Sequence, residues 1–480
     1  ASGDGFERAL YHLRKRLESE ARVAGFSLDD FSIPSLSSRT IVYKGMFVAA
    51  QFSSFYPDLR RDDFKSPFSI VHQRYSTNTF PSWPLAQPFR MIAHNGEINT
   101  LRKNVNAMRA RQSTLASPLF GSDMGKLFPV IQEDGSDSSM FDNVFELLVR
   151  SGRSPEHAFM MMVPESTAGA APEDRRAFYE YHSAVMESWD GPAAMVFTDG
   201  LRVGAASDRN GLRPFRYVRT ADGRFIGASE AGALGIDESA AIEKGKLSPG
   251  RMLVLDLEKG VFRDDARAKS DVAGASPYGR WLGERRLSLD DFPAGEAGAP
   301  SPAADRLEAY FGLDVEALRT LSLMLATGKE GASGMGSRKQ LAALSPRPDS
   351  FFSYFRQVFA QVTNPPMDPV REGGVMTLQG CIGRERNLLD ESPDHCAQLS
   401  VPHPLLSNDE TARLKASTRD DFRVCTVSTV YPLGNRDGVT GPAPGSRLKA
   451  AIEAVRTAVE LRVDEGYSLV VLSDRGVREG

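Results

Sequence analysis

Apolar residues recur at three- and four-residue spacing near the start of the chain: Leu10, Leu13, Leu17 and Ala21, with Arg14, Lys15, Arg16 and Glu18 between them. That period predicts an amphipathic helix over 6–25 with those four residues on its apolar face. Two short β-prone runs follow at 39–43 and 46–48, with Lys44-Gly45 between them as a turn. The stretch 69–109 then reads as strand, polar turn, strand, tight turn and helix. Its first apolar run ends in His72-Gln73-Arg74-Tyr75-Ser76-Thr77-Asn78-Thr79, and its second, 89–93, ends in His94-Asn95-Gly96-Glu97. Polar residues at the ends of two neighbouring strands are one way a fold builds a small-molecule site on a rigid base. The helix after them, 98–110, places Ile98, Leu101, Val105 and Met108 on one stripe.

Ser136, Asp137 and Ser138 lead into an apolar helix over 138–150, where their oxygens suit the free amides of the first turn. Two more helices are predicted at 155–162 and 172–189. From 193 to 259 the period changes to that of strands. Runs at 194–197, 202–205, 215–218, 225–228 and 252–255 are separated by Asp199-Gly200, Asp222-Gly223 and Pro249-Gly250. Asp-Gly between β-prone runs signals hairpins, so an antiparallel sheet is expected, covered by helices 98–110, 138–150 and 173–189. The class is α+β. Residues 264–305, rich in Ala, Gly, Pro and Asp, mark a boundary, which divides the chain into 1–265, a linker 266–304, and 305–480. Beyond it, 303–360 reads as helical and 364–369 as a proline-rich loop. Strand 422–430, helix 446–463 and strand 468–472 form one βαβ unit, hence an incomplete parallel sheet.

The bulk numbers narrow this only a little. A chain of 480 residues exceeds one compact core, so two or three domains are expected. A net charge of -4 argues against nucleic acid as the main partner. No apolar run approaches the roughly 20 residues of a membrane helix, so no membrane is expected either. Cys381, Cys396 and Cys425 make no paired framework and point to a reducing, cytoplasmic setting.

Arg74 offers a planar fork suited to a carboxylate, and Asp137 suits an ammonium group. Together they match the α-carboxylate and α-amino end of an amino acid. Asn95 and Gly96 form a turn whose side-chain amide and backbone N–H suit a developing oxyanion, although the same pair also makes a plain hairpin turn. A GxGxxG after a strand, a P-loop, HExxH and CxxC are all absent. His72 and His94 have no third ligand nearby and read as structural. Glu97 suits an acid–base role and a helix-start carboxylate equally. The three cysteines, with no adjacent basic group, read as inert, and no nucleophile is evident.

The run HQRYSTNTFPSWPLAQPFRMIAHNGEINT at 72–100, with GSDSSMFDN at 135–143, SDRNGLRP at 207–214, QVTNPPMDPVRE at 361–372 and ESPDHC at 391–396, resembles the glutamate synthase large-subunit family. The likeness extends from about residue 37 to the last residue. It implies a class II, N-terminal-nucleophile glutamine amidotransferase domain and part of a central domain. The fold implied is a four-layer αββα sandwich lacking its N-terminal part, then an incomplete parallel α/β central domain. The chemistry implied is hydrolysis of L-glutamine to glutamate and ammonia. The ammonia passes through a tunnel to an FMN-containing barrel, which adds it reductively to 2-oxoglutarate.

By this resemblance Arg74 binds the glutamine carboxylate and Asp137 its amino group, Asn95 and Gly96 form the oxyanion hole, and Thr77 lines the pocket. FMN and an iron–sulfur cluster are expected in the full-length protein, outside this chain. The implied partners are the FMN domain of that longer chain and either a small NADPH-oxidising subunit or ferredoxin; with ferredoxin, a plastid location is open. The family's nucleophile is the cysteine that begins the mature chain. Ala1 stands here, and no cysteine precedes Cys381, so the chain is expected to be an internal segment that cannot turn over glutamine alone. Two other readings stay open: a non-catalytic glutamine-binding or scaffold module, and an amidotransferase with a different acceptor.

Overall fold

The computed structural model describes residues 3–75, 79–166, 171–230, 232–233, 235, 238–296, 298, 313, 315–328, 342–346, 354, 378–432 and 444–477. By packing they fall into two units, one of residues 1–295 with 366–480 and one of 296–365. The described part of the second unit includes the helix Val315–Thr327, within the stretch expected to be helical. The loop expected at 364–369 lies outside the described residues.

In the first unit the predicted opening helix forms as α1, Gly3–Val23, but it is turned the other way. Leu13 and Leu17 are exposed, while Glu7, Tyr11, Arg14, Lys15 and Glu18 are buried. Arg14 bonds both oxygens of Glu18 at 2.9 Å and also Glu146; Arg90 reaches Glu18 at 2.7 Å, and Arg150 reaches Glu7 at 2.9 Å. Periodicity reports which residues share a face. It does not report that charges on one face find partners far along the chain.

The short helix α2 is Ala49–Phe55. The β-prone runs at 39–43, 46–48 and 69–72 form no strand. Side chains stand in for a ladder there: Ser37 Oγ accepts the Arg39 and Thr40 amides, and Ser35 Oγ accepts that of Val42.

Strand β1 is Ile92–Gly96, followed by α3 (Leu101–Arg111), α4 (Asp137–Arg150), α5 (Pro155–Met162) and α6 (Glu173–Ser183). Ser136 caps α4 by accepting the Ser139 amide, and Ser154 caps α5 by accepting that of His157. The β-rich segment gives β2 (Ala193–Thr198), β3 (Arg202–Ser207), β4 (Arg216–Thr220), β5 (Phe225–Ala228), β6 (Ala241–Lys246), β7 (Met252–Asp256) and β8 (Val261–Arg263). Asp199-Gly200 and Asp222-Gly223 close hairpins as expected, with Gly200 and Gly223 at φ 89° and 83°.

Two sheets form instead of one. The larger runs β1-β2-β3-β7-β8 and the smaller β5-β4-β6, both antiparallel throughout. Alternation explains the stacking. Ala194, Val196, Ala205 and Leu253 meet Phe215, just before β4, and Tyr217 and Phe225 of the smaller sheet. The other face, through Ile92, Met195, Phe197 and Val254, packs into the main core with Phe141, Phe145 and Phe159 of α4 and α5. At Gly204 a Cβ would fall 2.1 Å from the Phe197 ring, so the ring lies flat on bare backbone.

Residues 266–304, expected as a linker, contain most of α7 (Asp265–Ala273) and all of α8 (Tyr278–Arg285). Ala268, Val272 and Tyr278 belong to the main core. Glycine- and alanine-rich composition hid the apolar side chains spaced among it. Further on, strand Gly380–Ile382 pairs with Leu399–Val401, and strands Val424–Ser428 and Leu469–Ser473 pair in parallel across the helix Pro444–Asp464. That is the expected βαβ unit.

Candidate active site

The C-terminal end of β1 organises the polar residues singled out above. β1 is the edge of its sheet, and three side-chain and backbone devices serve its outer groups. Asp142 Oδ1 accepts the Met91 and Ile92 amides at 2.8 and 3.2 Å. The Phe89 amide reaches the Ile92 carbonyl at 2.8 Å. The Gln87 side chain accepts the His94 amide at 2.7 Å and donates to the His94 carbonyl at 3.0 Å. An edge that would otherwise expose unpaired groups is thereby satisfied.

Past His94 the backbone runs close against a second segment. A Cβ on Gly96 would lie 1.8 Å from the Pro192 carbonyl oxygen and 2.7 Å from His94 Nε2. A Cβ on Gly191 would lie 1.7 Å from the Glu97 carbonyl. Both contacts demand glycine. The Glu97 and Asn99 amides bond the carbonyls of Pro192 and Asp190 at 3.0 and 2.7 Å, which pins the turn.

Asp137 is the first residue of α4. Its Oδ2 accepts the Ile98 amide at 2.9 Å, and its Oδ1 accepts the Ser138 amide at 2.7 Å. Ser138 Oγ lies 2.7 Å from His94 Nδ1 and 3.2 Å from Asp137 Oδ1. Asn95, Gly96 and Asp137 are therefore one linked group, tied through Ile98 and through His94–Ser138. Burial pushes the His94 pKa down to about 4, so its ring is neutral near pH 7. Its Nε2, beside the Pro192 carbonyl, has no aligned hydrogen bond.

Arg74 is exposed on an irregular segment, with no ion pair to a described residue. Its amide bonds His72 Nδ1 at 3.1 Å, and His72 is close enough to His94 to affect its charge. Thr77 lies outside the described residues. The SDRNGLRP segment contributes Asp208, which accepts the Ala193 and Asn210 amides at 2.9 Å each. Arg213 acts electrostatically on His94. Asp142, buried under β1, is pushed up to about 6 by burial and by Glu146.

The sequence singled out Asn95, Gly96 and Asp137, which the fold links through Ile98, and gave no sign of Gln87, of Ser138's link to His94, or of Asp142. Ser138 stands 44 positions from His94, and no local period signals such a pair. One expectation about the cysteines is corrected: Arg286 Nη1 lies 2.8 Å from Cys381 Sγ, so a basic group is adjacent. Burial nevertheless pushes that thiol up, which keeps it protonated.

Comparison with known proteins gives two family matches: glutamine amidotransferases class-II over residues 1–281, and the glutamate synthase central domain over 306–480. Among relatives, the glutamate synthase [NADPH] large chain of Bacillus subtilis is 40% identical over 99% of this chain and 30% of its own length. The chain of the same name from Azospirillum brasilense is 42% identical over 99% of this chain and 31% of its own. The ferredoxin-dependent chloroplastic glutamate synthase of Oryza sativa subsp. japonica is 42% identical, over 99% and 29%. The chain spans about 30% of the length of the curated relatives it matches.

Proposed function

Since this chain belongs to the class II glutamine amidotransferases, we propose that it forms the substrate-holding half of a glutaminase site in a protein of glutamate-synthase type. The observation that carries this reading is the Ile98 amide on Asp137 Oδ2 at 2.9 Å. It sets the Asn95-Gly96 turn and a carboxylate at a fixed separation. Arg74 takes the glutamine α-carboxylate as a bidentate pair, and Asp137 takes the α-ammonium with lone pairs its two amide partners leave free. The Asn95 amide and the Gly96 N–H bind the carbonyl oxygen as it gains negative charge. His94, bonded to Ser138, is a positioning residue for both halves. Thr77 is assigned to substrate binding by the family resemblance of the 72–100 run alone.

Attack on the carboxamide carbon needs a thiolate, and the first 380 residues contain no cysteine. In this reading the thiol comes from the longer protein, and the chain alone binds glutamine without releasing ammonia. The released ammonia passes to an FMN site in the longer protein, where 2-oxoglutarate is converted to glutamate. An iron–sulfur cluster is likewise assigned to the longer protein. Electrons come from an NADPH-oxidising subunit or ferredoxin. The helix layer and two stacked sheets are read as three layers of an αββα sandwich.

Calorimetry with L-glutamine and an ammonia-release assay test this on the full chain. Binding without release is expected. No binding, or release abolished by Asn95→Ala, overturns the proposal.

A further inference from the structure

Three metal-ligand side chains converge on elements outside the candidate active site. His157 lies in the first turn of α5, His182 in the last turn of α6, and Glu391 in the ESPDHC segment. His157 Nε2 is 3.2 Å from His182 Nε2 and 3.2 Å from Glu391 Oε1, and His182 Nε2 is 3.6 Å from the same oxygen. A tetrahedral ion with bonds of about 2.0–2.1 Å separates its ligand atoms by about 3.3–3.4 Å. The three atoms already form one face of such a tetrahedron.

The surroundings orient the donors inward. His182 Nδ1 lies 2.8 Å from the Phe178 carbonyl, which can only accept, so Nδ1 carries the proton and Nε2 presents a lone pair. Tyr278 Oη donates to Glu391 Oε2 at 2.7 Å, leaving Oε1 for the cluster. His182 is 2% exposed. In the absence of a cation, one His157 N–H faces two acceptors. Arg153 Nε, 3.5 Å from Glu391 Oε1, is the nearest guanidinium nitrogen, and Arg153 Nη2 is bonded to the Leu388 carbonyl at 2.8 Å. That positive charge opposes any cation here, so an ion that imidazole holds strongly is compatible with the site and a weakly bound hard ion such as Mg²⁺ is not.

We propose that His157, His182 and Glu391 form a binding site for a zinc-class divalent ion, with a fourth position for water, that clasps the 385–396 segment to α5 and α6. The clasp is independent of glutamine binding.

The test uses the full chain, stripped with chelator and equilibrated with Zn²⁺ or Co²⁺. One Zn²⁺ retained per chain, intense tetrahedral Co²⁺ absorption displaced by Zn²⁺, and a rise in Tm with Zn²⁺ but not Mg²⁺ are expected. His182→Gln and Glu391→Gln lose more than about 100-fold in Zn²⁺ affinity, and Tyr278→Phe, which only orients Glu391, about 10-fold. Failure of the unmodified chain to retain Zn²⁺ and to develop the Co²⁺ bands overturns the proposal without recourse to any variant. So does Zn²⁺ affinity unchanged in both ligand variants.

Discussion

Two buried polar groups lie along α4, and they are finished differently. On the α1 side, Arg14, Glu18, Glu146 and Arg90 form a closed cluster: each carboxylate meets at least one guanidinium, and Gln132 adds a further bond to Glu18 at 2.9 Å. On the β1 side, His94, Ser138 and Asp137 form an open chain. One end, His94 Nε2, has no aligned partner, and Arg74 nearby has no ion pair with a described residue. A closed cluster uses its hydrogen-bonding capacity on the protein itself, Arg90 Nε excepted, and specifies how helices meet. An open one leaves capacity over, which is what a ligand needs. Asp142 joins the two sides, holding the β1 amides while lying 4.0 Å from Arg90.

The difference can be broken most severely on the closed side. Glu146→Ala leaves Arg14 with one buried partner fewer and should cost about 3–5 kcal/mol in denaturant unfolding. Replacing Arg14 and Glu146 together by Met and Leu should cost much less, because Glu18 keeps Arg90 and Gln132 and no buried charge is stranded. If the double variant is as unstable as the single one, the cluster is not the closed unit described.

A pH titration separates the two sides by sign. Asp142 has a native pKa of about 6, above its unfolded value, so the native state binds more protons and stability falls as pH rises from about 4 to 6. His94 has a native pKa of about 4, below its unfolded value, so stability present above about pH 6.5 is lost as pH falls toward 4. Each effect is worth roughly 2–3 kcal/mol, and the two oppose each other. Relative to the unmodified chain, Asp142→Asn should therefore gain stability as pH rises from 4 to 6, and His94→Gln should lose it. Chemical denaturation at three pH values distinguishes them; equal slopes in both variants would remove the contrast.

Arg74→Ala tests the open side by ligand alone. It should weaken glutamine binding by about 2 kcal/mol, roughly 30-fold, with unfolding unchanged. The smallest effect belongs to the outer face of α1: Leu13→Ser and Leu17→Ser should each shift stability by less than about 0.5 kcal/mol. A loss of 2 kcal/mol at either leucine would mean that this face is covered.

What could be read from the chain follows the reach of each interaction. The bounds of α5 were legible because Ser154 and Pro155 mark a helix start locally. The hairpins at Asp199 and Asp222 and the βαβ unit near the end were legible for the same reason. The face of α1 was not, because Arg14 is neutralised in part by Glu146, 132 positions away. The strand expected at 69–72 failed because apolar runs give no information on whether a neighbour is there to pair with. At the candidate site, residue chemistry pointed to Asn95, Gly96 and Asp137, while the tie between them depended on a register that only the folded chain supplies.

Gln87 gives β1 one further property. Its single amide closes both polar groups of His94, so their protection depends on the rotation of one side chain and not on separation of the sheet. The His94 and Ala93 amides, adjacent in sequence, should then keep different time in heavy water. Ala93, paired with Val196, records the opening of the sheet, whereas His94 records each excursion of Gln87, which makes that one proton a clock for the step beside the Asn95-Gly96 turn.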